Sequence, residues 1–290
     1  MSKWLVIFMG CLVLTSCSSS DDNNVPESGL DISSYYDEPG DVTTFNVHVE
    51  ATYSNGAHVS QDLVTKEYCG EVGFIPPKYE YSGDISAPYT VCVETEDDEI
   101  DGFEYSSMQG EEIIEDDLET FKRIDAQTKT GSDEPDNMNT VNVGDEFTYA
   151  EDSTLFDSNS AEMVGSEAES GTLTVVSFET VSVPAGDYDT IKIDFTMNMS
   201  TTLHNITDTG DFSGSGWFDT ATGMPVKMTG TLNMTLNEHG LTATATTERV
   251  LADFQPAANN ANVQAMHLTT PAVLSRATII KQIWQVQQVM

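Results

Sequence analysis

Five histidines, four cysteines and 48 acidic residues are the groups in this 290-residue chain whose chemistry could make a site. The histidines are dispersed. Alternation places His48 and His58 on one hairpin, with Asn55-Gly56 as a two-residue type I′ turn. That pairing sets His58 opposite Tyr53 and His48 opposite Leu63, too far apart to share a metal. The acids come closest to a binding pattern at Asp97-Asp98-Glu99-Ile100-Asp101-Gly102, where Asp97, Glu99, Asp101 and Gly102 match positions one, three, five and six of a calcium loop. Position twelve, which needs a bidentate Glu, is Met108. Calcium binding at this loop, in an adhesive exterior protein, is the alternative reading, and no other cofactor is expected. The chain has no G-x-S-x-G elbow, H-E-x-x-H, P-loop or C-x-x-C pattern. A protein without catalytic activity is expected.

The opening residues give an address. A single Lys3 precedes an apolar run from Trp4 to Leu14, too short for the ~20 residues of a membrane span and suited to a secretory signal. Leu14-Thr15-Ser16-Cys17 resembles the lipobox of bacterial lipoproteins. The resemblance implies cleavage before Cys17 and acylation of its thiol, so that the chain is held to a membrane by its lipid. Ser18 after the cysteine, where that family uses aspartate for inner-membrane retention, favours the outer membrane. Ser20-Asp21-Asp22 either resembles a serine-plus-acidic signal for the cell surface or merely solvates a linker. The first segment is thus a signal peptide at 1–16, followed by an acidic flexible tether at 17–40 with a reach of about 25 Å.

Export bears on the cysteines. With Cys11 lost in the signal and Cys17 acylated, Cys69 and Cys92 remain as a pair, and an oxidising compartment favours a disulfide between them. Against 48 acidic residues stand 11 Lys and Arg, a net charge of −37. Such a surface repels nucleic acid and anionic headgroups, so neither is expected as a partner. A hydrophobic fraction of 39% still supports a folded core.

Alternation dominates the remainder. Ile191, Ile193, Phe195, Met197 and Met199 take every second place, as do Met228, Leu232, Met234 and Leu236 with polar residues between. Period two over this length means antiparallel strands with one buried and one wet face. The expected fold is mainly β, a curved antiparallel sheet or partial barrel with one or two short helices. One helix is expected at Glu111–Ile124, from the spacing of Ile114, Leu118 and Phe121, and another in the tail after Ser275. A β-rich region at 41–140, a β domain at 141–254 and a non-acidic tail at 255–290 complete the division. Recognisable strands are few and aromatic girdles absent, which argues against a transmembrane barrel.

Three signatures in 141–252 carry a further resemblance. Val143-Gly144-Asp145-Glu146-Phe147-Thr148-Tyr149, then Val183-Pro184-Ala185-Gly186-Asp187-Tyr188-Asp189-Thr190, then Gly216-Trp217-Phe218 with Gly223-Met224-Pro225-Val226-Lys227 resemble a family of envelope β-proteins of uncharacterised function. That resemblance implies a curved sheet like the half-barrels of lipoprotein carriers, and brings no catalytic residue. Met197, Met199, Met228 and Met234 with Trp217 form either an irregular core or an apolar pocket. The expected partner is accordingly an apolar ligand or another envelope protein.

Overall fold

A computed structural model describes residues 30–31, 41–72, 89–96, 99–107, 113–116, 120–131, 140–157, 160, 162–237 and 240–256, with side chains described over 41–67, 142–157, 160, 162–237 and 240–256. The signal, Cys17, the tether and the tail from residue 257 lie outside these.

Every described element is a strand. In chain order they are β1 (Leu30–Asp31), β2 (Val42–Tyr53), β3 (His58–Val72), β4 (Tyr89–Glu96), β5 (Glu99–Ser107), β6 (Ile113–Asp116), β7 (Thr120–Gly131), β8 (Thr140–Val141), β9 (Glu146–Asp157), β10 (Met163–Val183), β11 (Gly186–Leu203), β12 (Ile206–Asp219), β13 (Pro225–Leu236) and β14 (Leu241–Gln255). β1 and β8 pair with each other. The other twelve form one antiparallel sheet in the order β10-β11-β12-β13-β14-β2-β3-β4-β5-β6-β7-β9, which closes because β10 pairs with both β11 and β9. The sheet runs without a break across residue 140, since β14 pairs with β2 and β9 with β7.

The alternation read from sequence sets the two faces. On β11, Ile191, Ile193, Phe195, Met197 and Met199 are buried, while Thr196 and Asn198 between them are exposed. Among the described side chains, most of those buried inside the sheet are apolar and most of those on its outer face are polar. Phe195 and Phe212 stack with centroids 5.3 Å apart. A second group, Phe45, Val47, Val49, Leu63, Met224 and Leu251, packs beneath Val183, Ala185 and Tyr188. These last three belong to the β10–β11 hairpin, whose tip at Pro184-Ala185 reaches β14, with the Ala185 amide donating to the Leu251 carbonyl at 3.4 Å. Pro184 presets φ and Gly186 takes φ of 141°, so the stiff turn expected at Val-Pro-Ala-Gly is present.

Two local expectations are overturned. Glu111–Ile124 is not a helix: β6 and β7 occupy it, with Ile114 opposite Arg123 and Asp116 opposite Phe121. The 3–4 spacing of its apolar residues is outweighed by ladders on both sides, to β5 and to β9. The Asn55-Gly56 hairpin has a three-residue loop. The Gly56 amide donates to the Tyr53 carbonyl at 2.9 Å and only Gly56 has positive φ, 88°, so the turn is not type I′. One extra loop residue shifts the ladder by one, setting His48 opposite Asp62 and His58 opposite Thr52.

Candidate functional site

The methionines and the tryptophan singled out from sequence part company. Met197, Met199, Met228 and Met234 do gather, each with 4–7% exposure, in the same buried group as Phe195, Phe212 and Leu232. Side chains so enclosed pack against one another. Trp217 lies opposite Lys192 on β11 and Lys227 on β13, on the outer face. Its ring is flanked by the Lys192 and Lys227 ammonium groups, 5.3 and 5.6 Å from the ring centroid, and its Nε1–H donates to Glu179. It therefore shares no pocket with the methionines. A single residue of parity separates the two roles: Gly216 and Phe218 face in, so Trp217 faces out.

The stretch read as a calcium loop is a tight hairpin. β4 ends at Glu96 and β5 starts at Glu99, directly paired, and the ladder continues through Thr95 opposite Ile100. A twelve-residue loop from Asp97 to Met108 would need that backbone free to wrap an ion. Asp97 lies outside the described residues, as do the side chains of Glu99 and Asp101. Among the described residues no three His, Cys, Asp or Glu side chains are grouped to hold a metal. Cys69 stands directly opposite Cys92 in the β3–β4 ladder, with both side chains outside the described set.

Outside the core, the registers assemble a belt across the outer face. One row reads Lys192, Trp217, Lys227, Val250, Asn46, Val64 from β11 to β3, and the row beside it reads Asp194, Ser215, Thr229, Glu248, His48, Asp62. Charges pair between and along the rows. Lys227 Nζ lies 2.8 Å from Glu248, Lys192 Nζ 3.5 Å from Asp194, and Ser215 donates to Asp194 at 2.5 Å. At the β14–β2–β3 end the belt hollows into an open groove of about 390 Å³, lined by Asn46, His48, Asp62, Val64, Glu248 and Val250. Val64, 37% exposed, and Val250 give this groove its apolar lining.

The pKa of His48, in this groove, is raised above the ordinary histidine value. Its Nδ1–H donates to Asp62 at 2.7 Å, and Glu50 lies 3.5 Å from Nε2. The bond to Asp62 is the main cause that raises the pKa; desolvation opposes it, and Glu50 adds to the rise. Once protonated, His48 places its positive charge within reach of two carboxylates. This pairing was hidden from sequence reading by the one-residue error at the Asn55-Gly56 turn.

The inner face also holds acids that sequence reading missed. Glu167 and Glu169 are buried, accepting hydrogen bonds from Thr201 Oγ1 at 2.8 Å and from the Tyr149 hydroxyl at 2.7 Å. Their signal was available, because both share the parity of Leu173 and Val175 on β10. At the barrel's other side Arg249 is buried, with its guanidinium 3.7 Å from the Phe45 ring centroid and paired with Glu67.

No protein-family model and no curated protein matches the chain. Among solved structures, the chain is similar to a candidate exported protein with a YmcC-like fold from Bacteroides fragilis, at 14% identity and TM-score 0.30, covering 78% of this chain and 99% of that one. It is similar to a candidate lipoprotein from Parabacteroides distasonis at 13% identity and TM-score 0.32, covering 79% and 100%. A third is the hypothetical lipoprotein YmcC from Escherichia coli, at 13% identity and TM-score 0.27, covering 73% and 85%.

Proposed function

We propose that the chain is a lipid-anchored protein of the bacterial outer membrane, without catalytic activity, that acts as an interaction module for another envelope protein. Leu14-Thr15-Ser16-Cys17 supports the anchor. At about 0.8 kcal/mol per buried CH₂, the two or three acyl chains the motif implies hold such a protein stably. The carrying observation for the module is where apolar surface lies. Met197, Met199, Met228 and Met234 are packed away inside, whereas Val64 and Val250 line an open groove with a charged rim. A ligand inside the sheet would have to part those methionines, so contact through the outer face is the better account.

The test places a photo-crosslinking amino acid at Val64 or Asn46 in the producing bacterium, with Thr196 on the outer face of β11 as control. Crosslinks to one envelope protein from the groove positions and none from Thr196 are expected. Equal labelling from all three sites overturns the reading. So does a lipid-sized mass retained by the purified Cys17→Ser chain in native mass spectrometry, which would move the function inside the sheet.

A further inference from the structure

The groove at the β14–β2–β3 end sets acids from three strands around one imidazole. We infer that it takes a segment of the partner that carries a lysine beside an apolar residue, and that the lysine ammonium takes the place of the proton on His48. This rests on the module reading for the groove being a contact surface, and deepens it by stating the partner's chemistry and the condition under which it binds.

Register builds the seat. Glu248 on β14 and Asp62 on β3 stand directly opposite His48 on β2, one on each side. Glu50 follows two residues along β2 and lies 3.5 Å from the ring. The Asp62 side chain is 90% exposed and that of Glu50 52%, so both are open to a cation from outside. Among the described residues, Lys227 of β13 pairs with Glu248 at 2.8 Å. Lys66 stands four residues beyond Asp62 on β3, roughly 13 Å away and past the Debye length at physiological salt. With His48 neutral, Asp62 and Glu50 are two negative charges beside an uncharged ring, and a cation between them relieves their repulsion.

The floor decides which cation. Val64 and Val250 lie in the row beside His48, one outer-face place further along β3 and β14, and line the open groove of about 390 Å³. An inorganic ion would use the carboxylates and leave the valines bare. A lysine side chain uses both, laying its carbon stem on apolar surface while its charged head stays in water. Its ammonium offers rotatable donors to carboxylates on different strands, whereas the planar fork of arginine matches a single carboxylate. An apolar neighbour on the same segment covers the rest of the valine surface. The chain's net charge of −37 draws such a basic partner in from a distance.

Proton and lysine compete because the same carboxylates hold either. A protonated His48 repels the ammonium, so each weakens the other by an equal factor. The partner therefore binds better above the raised titration midpoint of His48 than below it.

The test uses the full mature chain with Cys17→Ser at low salt and two capped peptides, valine-lysine-valine-lysine-valine and its counterpart with glutamine for lysine. Proton NMR follows the His48 imidazole, assigned by its loss in His48→Gln, with His58 of the same hairpin, bonded to Thr52, as control. In millimolar excess the lysine peptide should lower the His48 midpoint and leave that of His58, and the glutamine peptide should leave both. Affinity for the lysine peptide should rise about tenfold between about pH 5.5 and about pH 8.5, and Asp62→Asn should weaken it at the higher pH. A His48 midpoint indifferent to the lysine peptide, moved equally by both peptides, or moved no more than that of His58 overturns the inference. So does a pH dependence that persists in His48→Gln, or an affinity unchanged in Asp62→Asn. The two proposals fail separately. Partner capture from Val64 with an indifferent His48 leaves the module and removes its lysine; a responding His48 without partner capture leaves the cation seat and removes the module.

Discussion

The Phe212 ring lies over Gly230, in the space where any other residue would carry its Cβ. An added methyl there would come 2.2 Å from Phe212 Cζ. Phe212 has little room to yield because its ring stacks on Phe195. Gly230→Ala is therefore expected to destabilise the fold by about 1–3 kcal/mol, as overpacking does, despite alanine's lower conformational entropy. Urea denaturation measures it, and a variant as stable as the parent would show that the ring is free to move.

Cross-strand register makes the disulfide testable. Residues directly opposed in an antiparallel ladder have Cα atoms about 4.5–5.5 Å apart, within the range a disulfide spans. Cys69 and Cys92 are so opposed. The mature protein is expected to resist alkylation until reduced, and Cys69→Ser to cost roughly 3 kcal/mol in the chain-entropy account. Two thiols alkylated without reductant would refute the bond.

His48 gives a pH signature. Its pKa is raised in the folded state, so the contribution of its bond to Asp62 is fully present below the ordinary histidine value of about 6.5 and is lost as pH rises through the raised value. Proton NMR should find the imidazole titrating above that ordinary value, and Asp62→Asn should lower it. An imidazole that titrates unchanged in Asp62→Asn would mean the bond is not kept in solution.

Two ion pairs on β14 should differ sharply in worth. The Arg249 side chain is 4% exposed and pairs with Glu67, whereas Lys227 and Glu248 meet on the surface with 30% and 47% exposure. Removing the carboxylate from a buried cation costs about 3–5 kcal/mol, while a surface pair is worth at most about 1 kcal/mol. Glu67→Gln is thus expected to lower the urea midpoint far more than Glu248→Gln. Equal shifts would mean that Arg249 draws its support from elsewhere.

For the anchor, Cys17→Ser should abolish incorporation of labelled palmitate and move the protein from the detergent phase to the aqueous phase. Retention in the membrane fraction without label would mean another attachment.

The features legible in the sequence are those whose physics is local. Ile191 to Ser200 alternates because one side of β11 meets core and the other meets water, so the pattern is written residue by residue. The Val183–Gly186 turn carries its own proline and glycine. Closure of the sheet has no such mark, since β2 meets β14 only in three dimensions and no local residue records the encounter. Glu111–Ile124 misled for the same reason: its strands owe their existence to neighbours distant in sequence. His204 and Asn205 both take positive φ, 49° and 69°, making a tight turn from residues weaker as a signal than Asn-Gly. The groove was invisible because its rows depend on register, and one miscounted loop residue moved His48 away from Asp62.

Val42 pairs with Gln255 to join the first strand of the closed sheet to its last. A chain made from its N-terminus delivers β14 after β2 to β13, so the seam stays open until those strands are made. Until then β2 waits with an unpaired edge, a template for wrong partners. Closing so long a loop costs entropy before any contact repays it, and pairings of this range are the slow ones. Completion of the closed sheet is therefore timed by the arrival of β14, whatever order the other strands form in.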